Sequence, residues 1–388
     1  MDDVSVGLFS DGYLPVLDGV ALTVHNYAYW LNKESGRSCV VAPRTPGYID
    51  KESYRVVRFF SLPTVVRPPY RFGLPGLDPR LRRFLREEDF SLIHAHSPFG
   101  AGLVAARTAR EKKVPLVATL HSKYRDDLAR VIKAKAIVDD QIRRIADFYY
   151  SADYVWVPQE SMVATLREYG YDGPYEVMEN GIDLKPPESI APLRARGAEH
   201  LGLPEGLVAG LYVGQHILEK NLEFLVRSLK RIMEAIPEFR MVFVGQGYAK
   251  PRLQKLAADL GIAGKTLFHE AVYNREALAA IYARGDLLLF PSLYDNAPLV
   301  LREAAAFCTP ALMLKGSTAA TVIEDGRNGF LAPNDLEAYS ERAIAILSDR
   351  AALERAGIGA QRSLCRSWEG VLGQVRGRYR EILSRWRR

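Results

Sequence analysis

The sequence is poor in cysteine and lacks long apolar runs. Its 388 residues include three cysteines, widely separated and without a Cys-x-x-Cys pair, which excludes a disulfide framework and a cysteine zinc site. No apolar run approaches the roughly 20 residues that cross a bilayer, so we expect any membrane contact to be peripheral. The start, Met1-Asp2-Asp3, lacks the basic residues and longer apolar core of a signal peptide. We therefore expect a protein of the reducing cytoplasm.

A strong excess of one charge sign is also absent. Lys and Arg number 52 against 46 for Asp and Glu, a net charge of +6. This mild basic bias suits phosphate-bearing ligands or an anionic membrane surface and is too diffuse to indicate nucleic-acid binding. The ordinary hydrophobic (48%) and charged (25%) fractions exclude a disordered, collagen-like or low-complexity chain. The length indicates two domains, or three.

Short apolar runs alternate with amphipathic segments along both halves of the chain. We predict strands at 4–9, 39–42, 56–60, 92–94, 116–121, 154–157, 207–213, 241–244, 287–290 and 311–314, and helices at 20–33, 99–112, 222–233, 252–260, 275–283 and 299–307. Continuous apolar strands separated by helices indicate parallel sheets covered on both faces. The fold class is therefore α/β, with two doubly wound, Rossmann-like domains facing each other.

The domain boundaries follow from composition. Residues 184–206 are dense in proline and glycine, which is typical of a linker. We therefore predict an N-terminal domain over 1–183, a linker over 184–206 and a C-terminal domain over 207–365. Residues 366–388 form a basic, helical tail.

Ligands of open α/β sheets bind at the carboxyl ends of strands, near helix N-termini. The long loop after the first strand ends at Gly19, just before a helix, where a glycine lets the backbone approach a ligand; a plain surface loop explains it equally well. A later strand ends at Gly214-Gln215, and Lys220 follows where the next helix begins. A cation there opposes the helix dipole, which a bound anion would explain; a solvated lysine is the alternative.

The loop after the strand at 287–290 carries two carboxylates. Asp295 lies in the entry loop, Pro298 suits the first helical turn, and Glu303 lies about one and a half turns inside. The N–H groups of Leu299 and Val300 fall between the carboxylates, an arrangement that can hold a phosphate while the carboxylates bind hydroxyls. The alternative is a capping aspartate and a solvated glutamate.

Three histidines end neighbouring strands. We expect His94 to be a core histidine with satisfied hydrogen bonds and His121 to donate a hydrogen bond into a cleft. A metal site formed by these two with His96 would lack paired carboxylates or a helical His-x-x-x-His, so we predict none.

These loops together resemble the retaining, nucleotide-sugar-dependent glycosyltransferases of the GT-B fold, in the large family that includes bacterial sucrose, phosphatidylinositol-mannosyl and diacylglycerol-glucosyl transferases. The resemblance covers almost the whole chain. It rests on Gly19-Val20, on residues 214–220, on Asp295 and Glu303 with seven residues between them, and on residues 325–331. It implies that the C-terminal helix crosses back to the first domain.

The resemblance implies a role for each motif residue. Glu303 would accept hydrogen bonds from the ribose hydroxyls, Asp295 would lie beside the transferred sugar, and Lys220 would neutralise the diphosphate. The implied donor site comprises Gly19, Gly214, Gln215, Lys220, Asp295, Asn296, Leu299, Val300 and Glu303, and the implied catalytic residues are His121, Lys220 and Asp295.

Three departures from the family pattern affect the diphosphate site. Gln215 replaces an arginine, so Lys220 bears more of the charge stabilisation. Asp295 is one methylene shorter than the usual glutamate. Pro298 has no N–H to offer, so the phosphate must rely on its neighbours.

The resemblance implies a retaining hexosyltransferase that needs neither metal nor cofactor, with UDP-glucose as the expected donor. The loop from 120 to 128, which contains Tyr124, is similar to that of bacterial diacylglycerol glucosyltransferases, so we expect a lipid acceptor such as diacylglycerol at the inner membrane face. The alternatives are transfer to a soluble or polyprenyl-linked glycan, or a non-catalytic nucleotide-sugar binding protein.

A basic segment, 68–86, is the candidate membrane contact. Asp78 and Pro79 predict a helix start, and Leu81, Phe84 and Leu85 share one face. The exposed candidates for acceptor or membrane contact are Arg71, Arg80, Arg82 and Arg83, with Tyr124. Such a patch can dock on anionic lipid at the inner face of the plasma membrane; equally, the helix can pack on the sheet with its arginines solvated.

Overall fold

The computed structural model describes residues 4–16, 18–33, 37–64, 70–204 and 206–386. Residues 1–3, the beginning of the basic segment at 68–69 and the last two residues of the tail lie outside this part. The chain forms two compact units, one made of the residues up to Gly181 together with those from Trp368 onward, the other running from Ile182 to Ser367.

The first unit contains, within its described residues, a seven-stranded parallel sheet. The strands of the unit are β1 (Ser5–Phe9), β2 (Arg37–Pro43), β3 (Arg55–Phe59), β4 (Ser61–Pro63), β5 (Arg71–Gly73), β6 (Leu92–Ala95), β7 (Leu116–Thr119), β8 (Tyr154–Val157) and β9 (Glu176–Val177). The sheet has the order β3-β2-β1-β6-β7-β8-β9, while β4 and β5 form a separate antiparallel pair. The helices are α1 (Gly19–Lys33), α2 (Pro79–Glu87), α3 (Gly100–Lys112), α4 (Tyr124–Val131), α5 (Lys135–Tyr150) and α6 (Val163–Tyr169).

The second unit repeats the plan around a six-stranded parallel sheet, counted over its described residues. Its strands are β10 (Val208–Val213), β11 (Phe239–Val244), β12 (Thr266–His269), β13 (Leu287–Phe290), β14 (Ala311–Leu314) and β15 (Phe330–Ala332), in the order β12-β11-β10-β13-β14-β15. Its helices are α7 (Ala191–Leu201), α8 (Leu222–Ala235), α9 (Lys250–Asp259), α10 (Arg275–Arg284), α11 (Leu299–Ala306), α12 (Leu336–Ser348) and α13 (Arg350–Leu364).

The strand order creates a switch point in each sheet. In the second unit the chain moves outward from β10 through β11 to β12, then returns to β13 on the other side of β10. The loops that leave β10 and β13 therefore diverge and open a crevice between them, which is where ligands of such sheets bind. The first unit has the same arrangement at β1 and β6.

The last helix, α14 (Trp368–Trp386), belongs to the first unit. Its Trp368 packs edge-on against Tyr27 of α1, with ring centroids 6.1 Å apart, and its Tyr379 hydroxyl lies 2.6 Å from His94 Nδ1 on β6. The predicted fold is confirmed, including the final helix that returns to the first unit. The ten predicted strands and six predicted helices are present with ends within two residues of those observed.

The segment predicted as a linker differs from the expectation. Helix α7 lies inside it and packs against α10. Pro192 stands in its first turn and Gly202 ends it in the left-handed conformation at φ 61°, so these residues start and stop a helix. Gly197 allows the close contact between the two helices, because a Cβ there would lie 2.0 Å from the carbonyl oxygen of Ala280.

In the described part of the chain, no helix combines the length and the apolarity needed to cross a membrane.

Candidate functional site

The loops that follow β10 and β11 run against each other backbone to backbone. A Cβ on Gly245 would lie 2.0 Å from the carbonyl oxygen of Gly214, which itself has φ 147°. The N–H of His216 donates to the carbonyl oxygen of Gln246 at 2.9 Å. Only glycines allow this approach, and it fixes the loop that carries Gln215, an exposed residue, on the way to Lys220.

Lys220 and Asp295 form an ion pair across the switch point. They are 75 residues apart in sequence, and their side chains are 14% and 16% exposed. The ammonium also lies 5.5 Å from the centroid of the Tyr294 ring. Lys220 is thus neither solvated nor in need of an external anion to balance its charge, because Asp295 does so in this structure.

The other oxygen of this carboxylate is buried. Asp295 Oδ2 has no hydrogen-bond partner among the residues that the structure describes. A buried carboxylate oxygen without a donor is costly, so this atom is available to a hydroxyl that enters the crevice. Asn296 lies in the same loop and is half-buried.

Helix α11 starts directly after this loop, at Leu299, with Pro298 in the N-cap position. The geometry of helices leaves the first N–H groups, here those of Leu299 and Val300, without partners inside the helix. No side chain of the described residues caps this start. Asp295 pairs with Lys220 instead, so the interpretation of Asp295 as a helix cap is wrong, and the start of α11 remains open to an anion.

Glu303 is buried on α11 and is held at both oxygens. Arg275 Nη2 lies 2.8 Å from Oε1, and the Tyr282 hydroxyl donates to Oε2 at 2.8 Å. Burial, and then the neighbouring carboxylate, raise the pKa of Tyr282 well above its usual value, so its hydroxyl keeps its proton. The alternative of a solvated glutamate is wrong. Neither Arg275 nor Tyr282 was among the predicted site residues.

Three histidines of the first unit, His94, His96 and His121, form one stack. His94 is fully buried, with Tyr379 at Nδ1 and Thr119 Oγ1 2.7 Å from Nε2, which confirms the prediction of a core histidine. His121 follows β7, and its Nε2 lies 3.0 Å from His96 Nδ1. Burial lowers the pKa of His121 to about 4, so its ring is neutral at pH 7. No cluster of three or more potential metal ligands occurs in the described residues.

Two protein-family models match consecutive parts of the chain. Glycosyltransferase Family 4 matches residues 17–186, and Glycosyl transferases group 1 matches residues 198–363. The D-inositol 3-phosphate glycosyltransferase of Nocardiopsis dassonvillei is 30% identical over 313 residues, which cover 74% of this chain and 69% of that protein. The chain belongs to glycosyltransferase family 4.

Other known proteins resemble this glycosyltransferase over most of its length. The alpha-monoglucosyldiacylglycerol synthase of Acholeplasma laidlawii is 24% identical over 84% of this chain and 83% of its own. Sucrose-phosphate synthase from Thermosynechococcus elongatus has a TM-score of 0.79 at 20% identity, covering 98% and 99% of the two chains. HepE from Anabaena, in complex with UDP and glucose, has a TM-score of 0.75 at 17% identity, covering 97% and 99%. The structural likenesses show the GT-B fold.

The glycosyltransferase keeps a glycine at Gly19 that its own packing does not require. This residue begins α1, and a Cβ there would have no atom of the described residues within 4 Å. Asp18 supports the helix start, because its Oδ1 accepts from the N–H of Ala21 at 2.8 Å. The backbone at Gly19 therefore borders open space near the carboxyl end of β1, as far as the described residues go.

The predicted acceptor residues of the glycosyltransferase separate into two groups. Tyr124 is buried in the core of the first unit and packs edge-on against Phe99, so it does not form an exposed acceptor surface. Arg71 ties β5 to β4 through bonds from Nε to Ser61 Oγ (2.8 Å) and from Nη2 to the Ser61 carbonyl (3.0 Å). The prediction of a surface role fails for Tyr124 because its ring fills a gap between helices.

Helix α2 has the predicted cap and faces. The carboxylate of Asp78 accepts from the N–H groups of Arg80 and Leu81, and Leu81, Phe84 and Leu85 are buried. Arg80, Arg82 and Arg83 are exposed, and Arg82 also donates to the carbonyl oxygen of Gly76 at 3.2 Å. The apolar face of α2 thus packs inward, as in a crossover helix, and cannot enter a membrane.

Proposed function

We propose that this glycosyltransferase moves a hexose from a UDP-linked donor to a lipid acceptor of the diacylglycerol type. The observation that carries the proposal is the partly buried pair of Lys220 and Asp295 beside the uncapped start of α11. Further support comes from a relative named as a monoglucosyldiacylglycerol synthase and from fold neighbours solved with UDP and with UDP-glucose.

Donor binding exchanges the partner of Lys220. A diphosphate carries more negative charge than one carboxylate, so it takes the ammonium and leaves Asp295 to accept hydroxyls of the transferred sugar. The N–H groups of Leu299 and Val300 complete the anion site. The carboxylate of Glu303, whose oxygens each keep a lone pair, accepts from the ribose hydroxyls.

The proposed reaction retains the anomeric configuration by attack on the face from which the diphosphate departs. The bond from the anomeric carbon to the phosphate oxygen breaks, the acceptor oxygen forms the new bond, and the departing phosphate takes the acceptor proton. Lys220 stabilises the charge that develops on the phosphate oxygen. Because Lys220 and the helix start supply this stabilisation, the proposed reaction uses neither metal nor prosthetic group.

The first unit contributes His121 to the proposed reaction. A neutral imidazole is a hydrogen-bond donor at one nitrogen and an acceptor at the other. We propose that His121, with the open backbone at Gly19, contacts the transferred sugar.

Gln215 adds no charge at the diphosphate, and Pro298 has no N–H to offer it. Lys220 therefore carries more of the transition-state stabilisation than it would in a site that contains an arginine.

The proposed membrane contact is peripheral and uses exposed charge. The guanidinium groups of Arg80 and Arg83 extend from the outer face of α2, and basic groups near an anionic surface contribute about 1 kcal/mol each. The β4–β5 pair adds exposed apolar side chains, Leu62 at 45% and Phe72 at 60%, which pair directly across the strands. We propose that this surface docks on the inner face of the plasma membrane.

A product assay tests the proposal. The protein is incubated with UDP-glucose and other nucleotide sugars, with and without anionic vesicles that contain diacylglycerol, and the products are identified by mass spectrometry. We expect a glycosylated lipid with wild type, about 10²–10³ times less of it per unit time with Lys220→Ala, and unchanged product with Lys255→Ala, whose side chain is exposed on α9. Tight donor binding without turnover would instead indicate a binding protein.

A second candidate is transfer to a soluble acceptor or a polyprenyl-linked glycan. The inward packing of α2 favours it, because the helix offers no apolar face to a membrane. A relative named as an inositol phosphate glycosyltransferase also favours a soluble acceptor. Product formed with a soluble glycan or polyol, and none with vesicles, would select this candidate.

A further inference from the structure

The carboxylate of Glu303 is one end of a chain of charged side chains that leads to the beginning of the second unit. Arg275, the first residue of α10, pairs through the same nitrogen, Nη2, with Glu303 and with Asp183. Asp183 lies two residues beyond Gly181, the last residue of the first unit before the chain enters the second. The three side chains therefore form one ion-pair chain, Asp183–Arg275–Glu303.

The second oxygen of Glu303 is held from the same helix. Tyr282 and Arg275 are seven residues apart on α10, which places them on one face. Each donates to a different oxygen of Glu303. Because each carboxylate oxygen accepts along two directions, both oxygens retain one acceptor position, and their spacing matches the two hydroxyls of a vicinal diol.

Glu303 needs the positive charge of its partner. Its side chain is 10% exposed, while that of Arg275 is 39% exposed. Removing the cation would leave a buried charge without a partner, which is costly to the folded protein. The guanidinium itself reaches out toward solvent and is held on that side by Asp183.

We propose that Arg275 is a positioning residue for donor binding, which holds the Glu303 carboxylate aimed at the ribose diol, and that Asp183 fixes Arg275 in that position. This inference rests on the proposed function, since it requires a nucleotide donor. It makes the donor affinity depend on Asp183, a residue at the beginning of the second unit, through Arg275.

Calorimetric titration of the full chain with UDP and with 2′,3′-dideoxy-UDP tests the inference. For Arg275→Met we expect UDP affinity to fall about tenfold or more, the effect of losing one hydrogen bond to a charged group. The affinity for the dideoxy analogue should stay within about twofold, because it has no diol for Glu303 to bind. Arg275→Lys should restore part of the loss, and Asp183→Asn should show a smaller loss of the same kind.

The controls separate positioning from folding. Arg252→Met removes an exposed guanidinium that pairs with Glu223 and should leave both affinities unchanged. In a Glu303→Gln background, Arg275→Met should weaken UDP binding no further, because both changes remove the same interaction. Donor KM should rise more than kcat falls.

The outcomes distinguish this inference from the proposed function. Equal losses for UDP and its dideoxy analogue, or losses that add in the double variant, would overturn the inference and assign Arg275 a structural role only. Unchanged UDP affinity in Arg275→Met would also overturn it, while leaving the proposed function intact. Folded wild type that binds no UDP would overturn both.

Discussion

Replacing Lys220 by alanine should affect stability and catalysis through two different partners. In the free protein the ammonium balances Asp295, and both side chains are largely buried. A fully buried pair that loses one member costs about 3–5 kcal/mol, and an exposed pair contributes at most about 1 kcal/mol. The small remaining exposure suggests a loss of about 2 kcal/mol in the free energy of unfolding, between these limits.

Catalysis should suffer separately, because the same ammonium would stabilise the departing diphosphate. Removing one such preorganised group typically lowers kcat by about 10²–10³. The double variant Lys220→Ala/Asp295→Asn distinguishes the two effects. It removes the unpaired buried charge, so most of the stability should return. Its kcat should stay at or below the level of Lys220→Ala, because Asp295 is also proposed to bind the transferred sugar.

Urea unfolding and donor turnover, measured on the two single variants and the double variant, provide the assay. Lys255→Ala serves as the matched control, since that lysine is 76% exposed and pairs with Asp259 one turn away. A double variant as unstable as Lys220→Ala would refute the structural role of the pair. A kcat for Lys220→Ala within about threefold of wild type would refute the leaving-group role.

Three further predictions follow from single contacts. Burial lowers the pKa of His121 to about 4. Between about pH 6.5 and pH 4 the unfolded chain therefore binds more protons than the folded protein, and the free energy of unfolding falls as the pH is lowered. His121→Gln should reduce the difference in unfolding free energy between about pH 7.5 and about pH 5, and an unchanged difference would contradict this. Gly197→Ala should destabilise the folded protein by about 1–3 kcal/mol, because the added methyl group clashes with α10. Gly373→Ala, on the open face of α14, should instead stabilise it by about 0.5–1 kcal/mol. Equal shifts of the two melting temperatures would contradict the packing argument. Arg80→Glu/Arg83→Glu should release the protein from anionic vesicles in a sedimentation assay at low salt, and binding that is independent of these charges and of salt would contradict the proposed surface.

The sequence pattern predicted the sheet organisation because the buried strands are continuous apolar runs. Five of the fifteen described strands were not predicted, namely β4, β5, β9, β12 and β15, and the last two show the physical reasons. Residues of β12 are partly exposed at the sheet edge, so it lacks a continuous apolar run, and β15 has only three residues. The segment predicted as a linker contains helix α7, because proline and glycine, which are typical of a hinge, also start a helix at Pro192 and end it at Gly202.

The candidate site was predicted as separate residues rather than as pairs. Lys220 and Asp295 each stood out by position, but their pairing spans 75 residues and depends on the strand order at the switch point. For Arg275 and Tyr282 the sequence contains one indication, which is their seven-residue spacing on a predicted helix. That spacing indicates a shared face and does not reveal Glu303 as the group it meets.

The amphipathic pattern of α2 shows how a correct local prediction can leave function open. The sequence predicted the Asp78 cap, the Pro79 start and the apolar face, all of which the structure confirms. An apolar face has the same periodicity whether it packs on a sheet or enters a membrane. Only the tertiary contacts of Leu81, Phe84 and Leu85 decide that it packs inward.

A crystal structure of this protein with bound UDP would test the central claim most directly. We predict the diphosphate at the start of α11, within hydrogen-bond distance of Lys220 Nζ and of the N–H groups of Leu299 and Val300, with Glu303 bound to the ribose. A nucleotide bound elsewhere, with the Lys220–Asp295 pair intact, would contradict it.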